Sequence, residues 1–234
     1  MEVAKDGGPV RKVFNGRRHR PVGLYPSVKS DRMIAWESRL ERKTIRWLEV
    51  ETSFVEYLEQ PHRLWFPFEG RRTHYTPDFE VKIPGGSFYV EVKYRQFLRE
   101  MERREWKRFW KARYIYNAAG KSLVFVTDLR FKTHAVWHEN ARLVEEARRL
   151  LPTADTLSSI VTHLEAAKQS TLGACADAIR DPELGPQRLM ALMLRRIVAI
   201  DLNQPVSAQS SVSLCPGYRE RLGNIVRQGQ PENV

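Results

Sequence analysis

Apolar and polar residues alternate with a period of two at residues 75–83 and again at residues 88–94. Side chains of a β-strand point alternately to its two faces, so this alternation predicts two strands, each with one apolar face. The two segments are separated by Pro84-Gly85-Gly86, a composition that is typical of a turn. We therefore predict a hairpin with one face in the core and a second face that carries charged side chains.

The register of this hairpin decides which charged residues meet. If Ile83 pairs with Phe88 across a four-residue loop, Asp78 lies opposite Lys93. Glu91 is two residues from Lys93 and therefore points to the same face of the strand. The pattern thus predicts that these three charged side chains converge on one patch, whereas an odd loop length would send Asp78 to the opposite face.

The remaining pattern predicts an α/β fold in which a mixed β-sheet is flanked by helices. An apolar stripe predicts a helix that begins near Ser30 or Asp31, and the apolar run at 123–128 is typical of a buried strand. The predicted strands span 54–58, 64–68, 75–83, 88–94 and 123–128. The predicted helices span 31–50, 97–118, 134–150, 154–168, 171–180 and 186–198.

Three regions follow from this pattern. Residues 1–30 form a basic arm that either lies along DNA phosphates or is solvated, and residues 31–150 form the first domain. The boundary is predicted at Leu151-Pro152. Residues 151–234 favour a small winged-helix-like domain with a flexible tail, because short helices are followed by two strand-like segments; a plain helical subdomain is the alternative. The basic residues of the arm are Arg11, Lys12, Arg17, Arg18, Arg20 and Lys29.

Composition favours a nucleic-acid-binding protein. The chain has 234 residues, a formal net charge of +11 and a pI of about 9.9. It contains no apolar run of about 18 residues, so we expect no membrane span, and its first residues lack the apolar core of a secretion signal. Cys175 and Cys215 form no CxxC pattern, which favours reduced thiols and a cytoplasmic protein.

The densest positive charge falls on the predicted helix at 97–118. Residues 95–113 contain eight basic residues against three glutamates. We predict that Trp106 and Trp110 face the core and that the opposite face either contacts DNA phosphates or is simply solvated. The candidate DNA-binding residues on that face are Arg104, Lys107, Arg108 and Lys111.

The charged patch on the hairpin has the composition of a metal-dependent phosphodiesterase site. Mg²⁺ prefers carboxylate, carbonyl and water oxygens, and Asp78, Glu91 and the Val92 carbonyl can supply three ligands. Such an ion polarises a phosphate and acidifies water, while Lys93 stabilises negative charge on the phosphate. Glu41 on the predicted helix can complete the site. The alternative is an ordinary amphipathic hairpin with a charged, solvated face.

The identity of the helix acid stays open between two glutamates. Glu37 and Glu41 are four residues apart and therefore lie on one line of the predicted helix 31–50. Of the two, we favour Glu41 as the acid that completes the site.

Several motifs together resemble a known family. Asp78 with Glu91-Val92-Lys93 is similar to the PD-(D/E)xK nuclease motif, which is short and degenerate by itself. The motifs ES-x-LER (37–42), EQP (59–61), YTPDF (75–79), EVK (91–93) and VTD (126–128), at these spacings, resemble the TnsA-type endonuclease subunit of heteromeric bacterial transposases. The resemblance covers roughly residues 30–215.

This resemblance implies a restriction-endonuclease-like domain followed by a winged-helix-like domain. It maps the catalytic acids of the family onto Glu41, Asp78 and Glu91 and its lysine onto Lys93; some relatives have Gln at the position of Glu91. The implied activity is Mg²⁺-dependent cleavage, with Mn²⁺ able to substitute, on the 5′ side of transposon ends. The implied partners are double-stranded DNA, a transposase subunit of the DDE type and an AAA+ ATPase regulator. The alternatives are a stand-alone nuclease, such as a restriction enzyme or Holliday-junction resolvase, and a non-catalytic DNA-binding adaptor.

Overall fold

The computed structural model of the protein describes residues 1–4, 7–10, 21–181 and 183–222. The chain divides into two compact units, each of which contains helices and strands, so the predicted α/β class is confirmed at that level. The first unit comprises Met1–Leu48 and Ser53–Thr133, and the second comprises Glu49–Thr52 and the chain from His134 onward.

The first unit is built on a mixed sheet. Its elements in chain order are β1 (Glu2–Val3), β2 (Gly23–Ser27), β3 (Arg32–Trp36), α1 (Arg39–Val50), β4 (Glu56–Glu59), β5 (His62–Phe68), β6 (Arg71–Tyr75), β7 (Phe79–Ile83), β8 (Gly86–Val92), α2 (Arg95–Glu100), α3 (Arg103–Ala118), β9 (Leu123–Val126) and α4 (Asp128–Thr133). The described strands of the main sheet follow the order β4-β7-β8-β9. The first three pair antiparallel, whereas β9 runs parallel to β8.

The hairpin of β7 and β8 has a tighter turn than the sequence predicted. Ile83 pairs with Gly86 and not with Phe88, so Pro84 and Gly85 alone connect the strands. The φ of 83° at Gly85 explains this turn, because glycine adopts such a conformation without steric cost. The predicted register was therefore wrong by two residues. An even shift leaves every side chain on its predicted face, and continuation of the observed register brings Asp78 opposite Glu91.

The charged face of this hairpin is covered at Tyr89 and Glu91, whereas Lys82 on the same face is exposed, so the prediction of an outer face is corrected in part. Tyr89 and Glu91 point to that face, yet both are buried. The cover is α3, whose Phe109 and Tyr116 belong to the same apolar cluster as Tyr89. The sheet is therefore buried on both sides at this point, and a strand with two buried faces loses the simple alternation of exposure.

Helix α1 begins later than predicted, because residues 32–36 pair as β3 with β2 instead of continuing the helix. The side chain of Ser38 accepts a hydrogen bond of 3.0 Å from the Glu41 amide, and this cap defines the first helical turn. Glu37 consequently precedes the helix. The expectation that Glu37 and Glu41 share one helical line was wrong.

The predicted helix at 97–118 is divided into α2 and α3. Met101 and Glu102 have extended backbone conformations, with ψ values of 129° and 144°. Helix α3 buries Phe109, but Trp110 is 50% exposed, so the expectation that Trp110 faces the core was wrong. The buried residues of α3 recur at 109, 112 and 116. Trp106 precedes them at the same helical spacing and packs against their apolar cluster, as predicted, whereas Trp110 does not.

The predicted arm at 1–30 is partly ordered into strands. Strand β1 pairs with β5 and strand β2 pairs with β3, so the described part of this region belongs to the first unit. Lys29 donates a hydrogen bond of 2.8 Å to the Leu48 carbonyl. The other basic residues named for the arm, Arg11, Lys12, Arg17, Arg18 and Arg20, lie outside the described residues.

The second unit packs helices on a small antiparallel sheet. Its elements are α5 (Ala135–Glu146), a 3-10 turn (Ala147–Arg149), α6 (Ala154–Ala167), β10 (Gln169–Thr171), α7 (Leu172–Ile179), α8 (Gly185–Leu194), β11 (Val198–Ile200) and β12 (Ser211–Leu214). The described strands follow the order β10-β12-β11. Strand β10 lies between the predicted helices 154–168 and 171–180, and no strand was predicted there. Cys175 and Cys215 are buried free thiols in this unit.

The boundary between the units falls earlier than the predicted Leu151-Pro152. Helix α5 belongs to the second unit, because its Ala141 and Val144 share one apolar cluster with Leu164 and Leu189. Of the C-terminal tail predicted to be flexible, residues 223–234 lie outside the described residues. Of the helices described, none is long and apolar enough to cross a membrane.

Candidate active site

Asp78 stands immediately before β7 and is fixed from two sides. Its Oδ2 accepts a hydrogen bond of 2.6 Å from the Val92 amide on β8. Its backbone carbonyl accepts a bond of 2.8 Å from the Gln60 amide, which follows β4. The carboxylate is thus held at the sheet end where β8 finishes. Val92 contacts Asp78 through its amide, whereas the sequence suggested its carbonyl as a metal ligand.

Glu91 and Lys93 form an ion pair beside Asp78. The Nζ of Lys93 lies 2.9 Å from Oε1 of Glu91, and the side chain of Glu91 is 10% exposed. The other carboxylate oxygen, Oε2, accepts a hydrogen bond of 2.5 Å from the hydroxyl of Tyr75. Both oxygens of Glu91 are therefore oriented by donors of the protein.

Tyr75 is a site residue that sequence reasoning missed. It ends β6, is buried, and packs its ring 6.1 Å from that of Phe109. Burial and the charge of Glu91 raise the pKa of Tyr75 well above its ordinary value, so its hydroxyl stays protonated and donates a hydrogen bond to Glu91. The available signal was its position in the YTPDF segment, but a tyrosine there is equally typical of core packing.

Glu41 approaches the site from the first turn of α1. Its Oε2 accepts a hydrogen bond of 2.7 Å from the Glu37 amide, and its Oε1 accepts one of 3.1 Å from the Ser38 hydroxyl. These contacts form a capping arrangement with a structural purpose of their own. Burial raises the pKa of Glu41, while the Glu37 amide and the Ser38 hydroxyl act in the opposite direction.

The carboxylates of the site interact electrostatically with one another. Burial raises the pKa of Asp78 well above its ordinary value, and the charge of Glu91 raises it further. Lys93 and the Val92 amide lower it, whereas Glu41 adds to the increase. The structure therefore brings Asp78, Glu91, Lys93 and Glu41 within electrostatic reach of one another.

Lys93 is the cation that offsets this repulsion. Burial by itself lowers the pKa of Lys93, but the charges of Glu91 and Asp78 outweigh that effect and the pKa is raised. The lysine therefore stays protonated throughout the physiological range. A buried carboxylate pair with one protonated lysine is an arrangement that is common in catalytic sites.

The described residues contain no group of three or more His, Cys, Asp or Glu side chains that could hold a metal ion. Mg²⁺ nevertheless needs few protein ligands, since it typically uses one or two carboxylates, substrate phosphates and water. Oδ1 of Asp78 accepts no hydrogen bond from the described residues, and Asp78 is close enough to Glu91 for the two charges to interact. The donor set therefore fits a Mg²⁺ or Mn²⁺ ion held by Asp78 and Glu91.

The candidate DNA-binding residues on α3 are all exposed. Arg104 pairs with Glu69 at 2.9 Å, and the ammonium of Lys111 lies 5.7 Å from the ring centre of Tyr114. Lys107 and Arg108 stand between them on the helix. The face is therefore accessible to a phosphate backbone, although exposure is equally expected of a solvated face.

Comparisons with models of known protein families and with curated protein sequences found no match.

Proposed function

We propose that this protein is a metal-dependent DNA endonuclease. The observation that carries this proposal is the placement of two mutually repelling carboxylates, Asp78 and Glu91, beside protonated Lys93 at one end of the sheet. Burial and, after it, the charge of Glu91 raise the pKa of Asp78, and a divalent cation would stabilise both carboxylates in their charged form. The net charge of +11 favours a polyanionic substrate.

The residues have separate roles in this proposal. Asp78 and Glu91 would hold Mg²⁺, which supplies Lewis-acid polarisation of the phosphodiester and acidification of water. Lys93 donates to a phosphate oxygen, where negative charge increases in the transition state. Tyr75 orients Glu91 by its hydrogen bond. Glu41 adds a negative charge near Asp78.

The fold supports the more specific proposal of a TnsA-type subunit with a restriction-endonuclease-like domain. In the first unit α1 precedes a mixed sheet whose last strand is parallel to β8, as the motif resemblance implies. In the second unit the order from α6 is helix, strand, helix, helix, strand, strand, which is the order of a winged-helix domain. On this basis we propose cleavage at the 5′ side of transposon ends, with a DDE-type transposase and an AAA+ ATPase as partners.

The direct test is metal-dependent nicking of DNA that carries candidate transposon ends, with and without the partner transposase. Asp78→Asn and Lys93→Ala should each reduce the nicking rate at least a hundredfold in Mg²⁺ or Mn²⁺. Asp78→Asn should fold normally, because an asparagine oxygen still accepts the Val92 amide while a like charge beside Glu91 is removed. Lys82→Ala is the control, since Lys82 forms an exposed pair with Glu56. Wild-type nicking rates in both site variants would disprove the assigned site.

A DNA-binding adaptor is the second candidate, favoured by the internal hydrogen bonds that occupy Glu41 and Glu91. An adaptor would bind DNA without nicking it in any combination of partners and metals. A stand-alone nuclease would nick without the transposase, so the same experiment separates all three functions.

A further inference from the structure

A cleft opens beside the candidate active site, where the chain leaves β8. Its volume is about 490 Å³, and its walls come from α2 and the start of α4. Strands β8 and β9 are parallel neighbours, so the segments that follow them meet at one edge of the sheet. Ligands of α/β sheets bind typically at the carboxyl ends of such strands. The residues that matter here are Tyr94, Arg95, Phe97, Arg99, Asp128 and Lys132.

Two aromatic rings of this cleft face solvent. Tyr94 is 37% exposed and Phe97 is 54% exposed, and their ring centres lie 6.0 Å apart at nearly right angles. Helix α2 contains no buried residue, so Phe97 is not part of a core beneath that helix, and Tyr94 directly precedes its first turn. An exposed phenylalanine on a surface helix loses hydrophobic stabilisation, and a flat ligand that covers it recovers that free energy.

Three cations line the same cleft as these rings. The side chains of Arg95, Arg99 and Lys132 line the cleft, and the carboxylate of Asp128 is its one acid among the lining residues described. Asp128 accepts a hydrogen bond of 2.8 Å from the Arg95 amide and pairs with Lys132 at 3.0 Å. It therefore fixes the start of α2 against α4, and the cleft retains an excess of positive charge.

Aromatic faces combined with cations are the chemistry that binds unpaired nucleotides. A base stacks on an aromatic ring only when it is released from its own duplex, while the cations contact its phosphates. A cleft of about 490 Å³ has the size of a small-ligand pocket and is too small for a duplex. Lys93 of the candidate site directly precedes Tyr94 of the cleft in the chain, so a nucleotide in the cleft would lie close to the proposed point of cleavage.

We propose that this cleft holds one unpaired nucleotide of the cut DNA strand, with its base against Phe97 and Tyr94. The proposal deepens the nuclease function above and rests on it. It makes the preferred substrate a DNA end that is locally unpaired beside the cleavage point. Arg99 and Lys132 are positioning residues for the flanking phosphates and do not take part in the reaction.

Binding is measured first, in EDTA, so that no cleavage occurs. The probes are a 2-aminopurine-labelled short single strand and a duplex with one unpaired 2-aminopurine, each titrated with the full-length protein. We expect wild type to quench the fluorophore by stacking. Phe97→Ala should abolish the quenching and weaken single-strand binding about tenfold. The matched control is Leu24→Ala, which shortens an apolar side chain that is 50% exposed outside the cleft.

The contribution of the cations in the cleft is tested by separate variants. Arg99→Gln with Lys132→Gln should weaken single-strand binding and reduce its salt dependence, whereas the exposed α1 variant Lys43→Gln should not. Thermal melting of each variant checks folding, which α2 substitutions should leave intact because that helix buries no residue.

Cleavage is measured second, in Mg²⁺, on fully paired ends and on ends with one mismatch beside the cut. Wild type should cut the mismatched end faster, and Phe97→Ala should lose that preference. Equal quenching by wild type and Phe97→Ala would overturn the nucleotide site, even if the protein is a nuclease. Quenching that depends on Phe97 in a protein that never cuts would instead retain the nucleotide site and refute the nuclease function.

Discussion

At the scale of single residues, the candidate site is a balance of opposing charges. Asp78 and Glu91 destabilise each other because both are removed from water. Lys93 compensates one carboxylate by direct pairing, and Tyr75 compensates by donation of a hydrogen bond. A fold selected for stability alone has no reason to hold two carboxylates together, so this conflict is the main physical argument for function.

The role of Tyr75 is tested by removal of its hydroxyl. Tyr75→Phe preserves the ring that packs on Phe109 but leaves Oε2 of Glu91 without its donor. We expect kcat for nicking to fall about ten- to a hundredfold, as is typical when a residue behind a metal ligand is changed. DNA affinity in EDTA should stay unchanged.

The readout that separates positioning from general destabilisation is the Mg²⁺ dependence of the rate, which Tyr75→Phe should shift to higher concentrations. Tyr114→Phe is the control, because Tyr114 is 69% exposed. A fall in melting temperature without any change in the Mg²⁺ dependence would show that Tyr75 serves packing alone.

The choice between Glu41 and Glu37 is decided by charge removal that preserves the helix cap. The side-chain oxygen of glutamine still accepts the hydrogen bond from the Glu37 amide, and its NH₂ group can donate to the Ser38 hydroxyl in place of the bond that Glu41 accepts, so Glu41→Gln should retain stability within about 1 kcal/mol. If Glu41 acts in the site, nicking should fall at least tenfold in Glu41→Gln and stay at the wild-type rate in Glu37→Gln. Equal nicking by both variants and wild type would leave Glu41 with the cap alone.

At the scale of elements, helix α3 packs on the hairpin and helps to bury Tyr89 and Glu91, which lie on its charged face. His62 is enclosed in this layer, where its Nε2 lies 2.7 Å from the hydroxyl of Tyr116 and its ring centre lies 4.9 Å from that of Tyr89. Burial lowers the pKa of His62, so the folded state holds this side chain neutral. The aromatic layer behind the site is thus linked to pH.

The sign of this linkage follows from the lowered pKa of His62. Its contribution to stability is fully present above the unfolded value of about 6.5 and is lost as pH falls towards the folded pKa. We expect the free energy of unfolding of wild type to fall more steeply than that of His62→Gln between about pH 7 and pH 5. Urea denaturation at several pH values measures this difference.

The control for this experiment is His134→Gln, which removes an exposed histidine of the second unit. Its stability profile should follow that of wild type. Parallel profiles for wild type and His62→Gln would show that protonation of His62 does not couple to unfolding.

At the scale of the whole molecule, positive charge dominates the expected encounter with DNA. The net charge of +11 is a property of composition, but only the structure shows which cations of α3 are exposed. Arg104 is paired with Glu69, so Lys107 and Arg108 are the stronger candidates for phosphate contacts. Such contacts release counterions and make affinity dependent on salt.

Replacement of Lys107 and Arg108 by glutamine should therefore weaken DNA binding at all sequences alike. The slope of log K against log salt concentration should become smaller by about two, one for each lost phosphate contact. Fluorescence anisotropy over a range of salt concentrations measures the slope. The control removes two charges from the exposed part of α1, Arg42→Gln with Lys43→Gln, and an equal loss in both double variants would indicate a general charge effect only.

The sequence located most elements because their signals are local. Alternation at 75–83 and 88–94 predicted the hairpin, and the apolar run at 123–128 predicted β9. It failed at residues 31–36, where the apolar stripe of a helix and the pattern of a strand overlap. Pairing with β2 and the Ser38 cap decided that segment, and both depend on contacts that a local pattern does not contain.

The sequence by itself determined the α/β class and the positive charge. It also placed Asp78, Glu91 and Lys93 on one face of the hairpin, because side chains alternate along a strand. Only the tertiary structure decided that this face is buried under α3, that Tyr75 holds Glu91, and that Glu41 closes a helix cap beside Asp78. These contacts join segments that are distant in the chain. They arise from packing, and packing fixes both the repulsion between the carboxylates and the cation that balances it.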